Sequence, residues 1–263
     1  MGIYLVTGCL GGMGSALCRK LLEEGHRVFG IDRAGENETD GVTLLSADIT
    51  DEESVRQAFQ EVREKAGRLD GIIHMAGVYD LNSLVEMPEE DFVRDFNVNL
   101  FGMFRVNRQF LPLLSEGGRI VMISSELAPL YPLPFTGIYA VTKTAVEQYA
   151  RALRMELQLL GHPVTVVRPG AVDTGMLPVS TEKLERFSEK TRLYSFGAAR
   201  FRKIVNAVES RSVPPEKIAV IVSRVLKARH PRRTVNVNRN PLLLLYGVLP
   251  EKLKLFAIRK ILS

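Results

Sequence analysis

The chain has 263 residues, 46% of them hydrophobic and 25% charged, with a formal charge of +5, which excludes a disordered or fibrous chain and supplies apolar material for one sizeable domain spanning 1–263. Charge is uneven: residues 225–263 hold nine Lys or Arg against Glu251 alone, so the basic character belongs to the tail and no nucleic-acid partner is expected. Cys9 and Cys18 form neither a metal pair nor a disulfide framework, and the chain opens without a signal-peptide pattern, which together point to a cytoplasmic protein with no metal site.

Residues 3–7 (IYLVT) read as a strand, followed by the glycine-rich GCLGGMG and by SALCRKLLEEG, which has helical apolar spacing. Strand, glycine turn and helix make a phosphate cradle, because N–H groups at the helix start favour an anion and glycines let a pyrophosphate approach. A second strand, 27–31, ends at Asp32, where a carboxylate can accept hydrogen bonds from a ribose diol. A third, 42–50, carries Asp48 and Ile49 at its exit. Then DEESVRQAFQEVREKAG is an amphipathic helix capped by Thr50 or Asp51. A fourth strand, 71–77, is apolar throughout, as in a parallel sheet covered on both faces; it ends at Ala76 and Gly77, and its His74 reads as a satisfied core histidine.

A long helix is predicted from Pro88 to Leu114 with Asn99 at its middle. A mid-helix asparagine competes for backbone groups, so it marks a kink or a water site unless it lies on the surface. Strands at 118–125 and 164–170 deliver Ser125 and Pro169-Gly170. The strand exits converge on one sheet edge, where ligands bind in a doubly wound parallel sheet. The fold class is therefore α/β, Rossmann-type and three-layered αβα, with a helical substrate lid at about 175–215, a helix at 214–228 and a short last strand.

Between Ser125 and the lid stands Tyr139, four residues before Lys143 in a helical segment, 139–160. Residues i and i+4 share a helix face, so the ammonium lies beside the phenol. A phenol titrates near 10, and a neighbouring cation is one way to bring it towards neutrality for acid/base work.

With these residues placed, the chain resembles the single-domain short-chain dehydrogenases/reductases from about residue 2 to about 240. The family's TGxxxGxG is met by Thr7, Gly8, Gly12 and Gly14, its Tyr-x-x-x-Lys by Tyr139 and Lys143, its serine by Ser125 and its helix asparagine by Asn99. Gly8, Gly11 and Gly14 also satisfy the TGxxGxxG of the extended, epimerase-type branch, but 263 residues leave no room for that branch's larger substrate domain. Two departures stand out: His74-Met75 replaces the usual Asn-Asn, implying altered hydrogen bonding there, and Ser125 has Ser124 as a near neighbour.

The resemblance implies Tyr139 as general acid and base, Lys143 lowering the phenol's pKa and holding the nicotinamide ribose, Ser125 donating to the substrate oxygen, and Asn99 holding a water. It implies a cofactor-binding set of Thr7, Gly8, Gly12, Met13, Gly14, Asp32, Arg33, Asp48, Ile49, Ala76, Gly77, Tyr139, Lys143, Pro169, Gly170, Val172 and Thr174, the last at the nicotinamide carboxamide. Asp32 favours NAD; Arg33 leaves NADP open. Homodimer or homotetramer formation through the helices at 89–114 and 139–160 is expected, as is a hydrophobic substrate such as a steroid or retinoid, lined by residues 126–135 and Met176-Leu177-Pro178. A non-catalytic dinucleotide sensor of the same fold is the alternative. Residues 241–263 are apolar and basic but are interrupted at Pro250, too short a run to span a bilayer. They either pack over the active site or a partner, or lie on an anionic membrane surface.

Overall fold

The computed structural model describes residues 1–33, 41–209 and 211–262, with backbone alone at 176–181, 196 and 206–209. Met176, Leu177 and Pro178, expected to line the substrate pocket, therefore have side chains outside the described residues. Seven parallel strands, β1 (Ile3–Thr7), β2 (Arg27–Asp32), β3 (Val42–Ser46), β4 (Leu69–His74), β5 (Leu114–Ile123), β6 (Val164–Pro169) and β7 (Thr234–Val237), form one sheet in the order β3-β2-β1-β4-β5-β6-β7. The order reverses beside β1, opening a crevice at the strand C-termini between β1 and β4.

Both sheet faces are covered, which is why β1 is buried along its whole length. On one side α1 (Gly12–Glu23) and α8 (Pro215–Lys227) pack Leu17, Leu21, Ile218 and Val222 against Val6, Val28 and Val121. On the other, α2 (Glu52–Lys65), α4 (Gly102–Phe110) and α5 (Gly137–Leu157) bring Val62, Phe110 and Val146 onto Phe29, Ile72 and Ile120. Each such fully buried side chain contributes roughly 1.5–3 kcal/mol. Asp51 is the α2 cap, accepting the Glu53 N–H at 3.0 Å, an interaction worth ~1 kcal/mol.

The helix expected from Pro88 to Leu114 runs without a break from Glu89 to Leu113, but it is not α-helical throughout. It comprises α3 (Glu89–Phe96), a π-helical turn at Asn97–Phe101, α4, and a 3-10 turn at Leu111–Leu113. Asn99 lies in the π turn, fully buried, and its amide serves the loop after β4: Oδ1 accepts the Val78 N–H at 2.8 Å, while Nδ2 donates to the Val78 carbonyl at 3.0 Å and to Thr142 Oγ1 at 3.1 Å. The extra residue of a π turn re-aims one side chain, and here that side chain props the edge of the crevice. His74 is a satisfied core residue, with Nε2 2.8 Å from Asn107 Oδ1 and its pKa pushed down to about 4 by burial. This contact stands where the family's Asn-Asn amides are missing.

Beyond β6 come α6 (Met176–Lys190) and α7 (Ser195–Glu209), and Leu184, Phe187, Phe201 and Val205 form a separate small core with Leu81 and Phe135. The tail folds as α9 (Pro241–Val248) and α10 (Glu251–Leu262), broken at Pro250, and packs back on the body at Tyr131, whose hydroxyl donates to Glu251 Oε1 at 3.1 Å and whose ring lies under Lys254 Nζ; within the tail, Lys254 Nζ donates to the Gly247 carbonyl at 2.8 Å.

Candidate active site

The crevice is a cavity of about 800 Å³ bordered by Gly8, Gly12, Met13, Gly14, Asp32, Arg33, Asp48, Ile49, Ala76, Gly77 and Thr174. Its floor is backbone packed too tightly for side chains. Gly8 has φ +67°, and a Cβ there would lie 2.6 Å from the Ala76 nitrogen; one on Gly14 would lie 1.9 Å from the Gly8 carbonyl oxygen, and one on Gly12 2.9 Å from the Thr174 side chain. A Cβ on Gly11 would meet nothing closer than 3.4 Å. The glycines that geometry demands are thus Gly8, Gly12 and Gly14, the TGxxxGxG pattern rather than the epimerase one. Thr7 is buried beneath them, its Oγ1 accepting the Ala76 N–H at 3.3 Å. The start of α1 has no side-chain cap, so its first N–H groups face the cavity as an anion site. A dinucleotide fits this cradle.

Asp32 is held in place at the end of β2: Oδ2 accepts the Leu10 N–H and Oδ1 the Arg33 N–H, each at 2.9 Å. Asp48 fixes the β3 exit, with Oδ1 accepting from Thr50 N and Oγ1 at 2.8 and 2.7 Å. The cavity also touches two cations that sequence patterns did not mark, Arg94 of α3 and Lys183 of α6, which both pair with buried Asp80. They tie the lid helix across the crevice.

A smaller cavity of about 130 Å³ shares Met13, Gly77, Tyr79 and Thr174 with the first and is walled by Ser125, Tyr139, Lys143, Pro169, Gly170 and Val172. Ser125 and Tyr139 both wall this cavity and the Ser125 hydroxyl acts on the phenol to lower its pKa, whereas Ser124 Oγ donates to the Lys143 carbonyl at 3.3 Å. The structure therefore separates the two serines, placing Ser125 beside the phenol and turning Ser124 onto α5. Lys143 is buried, its Nζ donating to the Ile123 carbonyl at 3.1 Å and standing 5.6 Å from the Tyr139 ring centre. Asn99 lies behind this wall; its Oδ1 and Lys143 Nζ both flank Gly77.

One electrostatic expectation is corrected. Burial pushes the Tyr139 phenol up to about 12, with the Ser125 hydrogen bond pulling the other way, and burial brings the Lys143 ammonium down to about 8. Lys143 directs its charge at a carbonyl rather than at the phenol oxygen, so desolvation outweighs cation stabilisation of the phenolate.

The remaining wall also differs from expectation. Of residues 126–135, Glu126 and Leu127 face the small cavity, but Tyr131, Pro132, Leu133, Pro134 and Phe135 line a separate groove of about 730 Å³ with Leu193, Tyr194, Leu255 and Ile258. Leu243 of α9 takes their place at the small cavity. Glu126 is 4% exposed; its Oε2 accepts the Asn240 N–H at 2.7 Å, and burial raises its pKa. Neither Glu126 nor Leu243 belongs to a recognisable motif. The tail's two expected placements had included packing over the site, and Leu243 is the residue that does so.

Comparison with known proteins agrees with this geometry. Residues 2–185 match the short chain dehydrogenase family. A 3-ketodihydrosphingosine reductase of Bacteroides thetaiotaomicron is 29% identical over 231 residues, covering 87% of this chain and 85% of its own. An NADPH-dependent 1-acyldihydroxyacetone phosphate reductase of Schizosaccharomyces pombe is 33% identical over 226 residues, covering 82% and 73%. A short-chain dehydrogenase from Streptomyces avermitilis shares the fold, with a TM-score of 0.75 over 98% of this chain and 93% of that one at 23% identity. The glycine cradle, the parallel sheet and the matched residues lead to one assignment: the chain belongs to the short-chain dehydrogenase family.

Proposed function

We propose that the protein interconverts a lipid ketone and its secondary alcohol, preferring NAD(H), with Tyr139 as the proton carrier. The observation that carries this reading is the shared wall of the two cavities, which sets Tyr139, Ser125 and Lys143 beside the glycine cradle. A nicotinamide dinucleotide held there by Gly8, Gly12, Gly14, Asp32, Asp48 and Thr174 supplies or accepts the hydride. In the reduction direction, Tyr139 gives its phenolic proton to the carbonyl oxygen, and Ser125 donates a hydrogen bond to the same atom as negative charge grows. A phenol with a pKa near 12 is fully protonated at neutrality and loaded for this step. Lys143 is positioned by the Ile123 carbonyl to reach the ribose, and Asn99 fixes Val78 and so the edge against which the ring would rest. The alternative of a non-catalytic sensor leaves the Tyr139, Ser125 and Lys143 convergence without a use.

The NAD(H) preference rests on Asp32, whose immobilised carboxylate would repel a 2′-phosphate; Arg33 beside it is the counterweight. A lipid substrate is supported by the apolar wall of Leu127, Val172 and Leu243 and by the lipid ketones in the names of the two relatives. The small cavity would take the carbonyl end, with the chain leaving past Leu127 and Leu243. Exposed Phe92, Phe101, Phe104 and Val141 on α3–α5 support a homodimer or homotetramer. Among the described residues no helix is long and apolar enough to cross a membrane, yet Leu242, Leu245, Val248, Leu253 and Phe256 are exposed beside Lys252, Arg259 and Lys260. This mixture supports contact with an anionic membrane surface.

The test is NADH and NADPH oxidation with long-chain ketones. Ketone-dependent oxidation with higher kcat/KM for NADH is expected; oxidation by neither cofactor would remove the enzymatic reading, and a clear NADPH preference would remove the role given to Asp32.

A further inference from the structure

Within the small apolar cavity, Glu126 is out of place on physical grounds. It follows Ser125 directly, is 4% exposed, and is the single carboxylate among the described residues that wall the cavity. A buried carboxylate without a partner is costly, so such groups are normally paired or fully hydrogen-bonded. Glu126 is neither. Among the described residues it has no ion-pair partner within 4 Å; Arg239, whose Nε is itself buried without a hydrogen-bond partner, acts on it only at longer range. The Asn240 N–H to Oε2, at 2.7 Å, fills one of roughly four acceptor positions on a carboxylate. Oε1 lies against Gly170, 2.8 Å from where a Cβ on that residue would stand, and Gly170 and Glu126 both face the cavity.

A wholly apolar substrate would leave this acceptor desolvated and unmatched. The Lys143 ammonium stands on the Ile123 and Gly77 side of the cavity, whereas Glu126 Oε1 lies on the Gly170 side, so an anionic group beside the carbonyl on the Gly170 side would meet like charge in a place of low dielectric. A donor on the carbon beside the carbonyl, best a cationic amine, would meet a charge-assisted acceptor and offset the burial.

We propose that Glu126 is a specificity-determining residue that selects long-chain ketones bearing an amino group next to the carbonyl and rejects those bearing a phosphate there. This rests on the oxidoreductase reading above and narrows its substrate class. Glu126 has a second task, since its bond to Asn240 anchors the start of α9 and so sets Leu243 in the cavity wall. Any test must separate the two.

Three ketones of equal chain length are compared by kcat/KM with the full-length protein: an α-amino ketone, the plain ketone and an α-phosphooxy ketone. A hydrogen bond to a charged group predicts preference for the amino over the plain ketone of ~10-fold or more, with the phosphate form poorest. Glu126→Gln keeps an oxygen to accept the Asn240 N–H and removes the charge, so the amino-to-plain ratio should fall to about one and the phosphate penalty should shrink. Competition on the native protein between a long-chain alkylammonium and the matching alcohol gives the same comparison without a variant, the ammonium binding more tightly. If the plain ketone is turned over but the native amino-to-plain ratio is near one, the proposal fails while the oxidoreductase reading stands. If Glu126→Gln keeps the native ratio, selection lies elsewhere and the proposal fails. Turnover of none of the three would overturn both readings.

Discussion

The two cavities at the sheet edge touch along Met13, Tyr79 and Thr174 but are made of different material. The dinucleotide crevice is a backbone object, shaped by Gly8 against Ala76 and by Gly14 against Gly8. The substrate cavity is a side-chain object, assembled from the Ser125–Leu127 turn, the Pro169–Val172 exit and Leu243, more than a hundred residues after Glu126. A backbone-built site tolerates almost no change at its contact points, because nothing can rotate away. A side-chain-built site can be re-cut without loss of the fold, which is how one scaffold meets many substrates.

The sharpest way to break this comparison is within the glycine loop. Gly14→Ala must place a Cβ 1.9 Å from a carbonyl oxygen, whereas Gly11→Ala meets nothing inside 3.4 Å and has φ −70°, which any residue accepts. In fluorescence titration with NADH, Gly14→Ala should lose ~100-fold or more in affinity, the range of a misplaced binding element, and Gly11→Ala should bind as the native chain does. Equal losses for both would show that the crevice is not shaped by backbone approach.

The substrate side is sharpened by Leu243→Ala. Removing this side chain should raise KM for a long-chain ketone by ~10-fold, the scale of a few methylenes in an apolar pocket, while the NADH dissociation constant stays unchanged. A shift in NADH affinity of the same size would mean that the two cavities are not independent.

A third contrast lies in pH. Lys143 has its folded-state pKa brought down to about 8, so its charge is present below that value and is lost as pH rises through it; Tyr139 keeps its proton until about 12. For ketone reduction, kcat/KM should therefore fall several-fold as pH rises through about 8, with a second fall only near 12. A profile flat from 7 to 10 would contradict the placing of a charged Lys143 at the cofactor's ribose.

How much could be read from residues follows the same division. The strands, the glycine cradle, Asp32 and the Tyr139/Lys143 pair were legible because their positions are fixed by local pattern: continuous apolar runs in strands buried on both faces, tight turns and an i, i+4 face. The π turn at Asn97–Phe101 was only half legible. Asn99 signalled an irregularity, but its partner Val78 lies 21 residues away, beyond any local pattern. Leu243 and the Asp80, Arg94 and Lys183 cluster were not legible, since their meaning arises only when distant elements meet. Glu126 follows Ser125 directly in the sequence, but within 126–135, expected to line a hydrophobic substrate, nothing local marks one carboxylate as buried in the cavity. The direction of the Tyr139 shift was missed for a related reason: spacing along a helix gives the separation of two groups, not how much water remains around them.

The central claim is that Tyr139 carries the proton while the glycine crevice binds the dinucleotide without its help. Tyr139→Phe, assayed for NADH binding by fluorescence and for ketone reduction under saturating NADH, tests both halves in one protein. The account predicts kcat lower by ~10²–10⁴-fold, the usual worth of a positioned acid, with the NADH dissociation constant within about twofold of native; near-native turnover by the phenylalanine variant would contradict it.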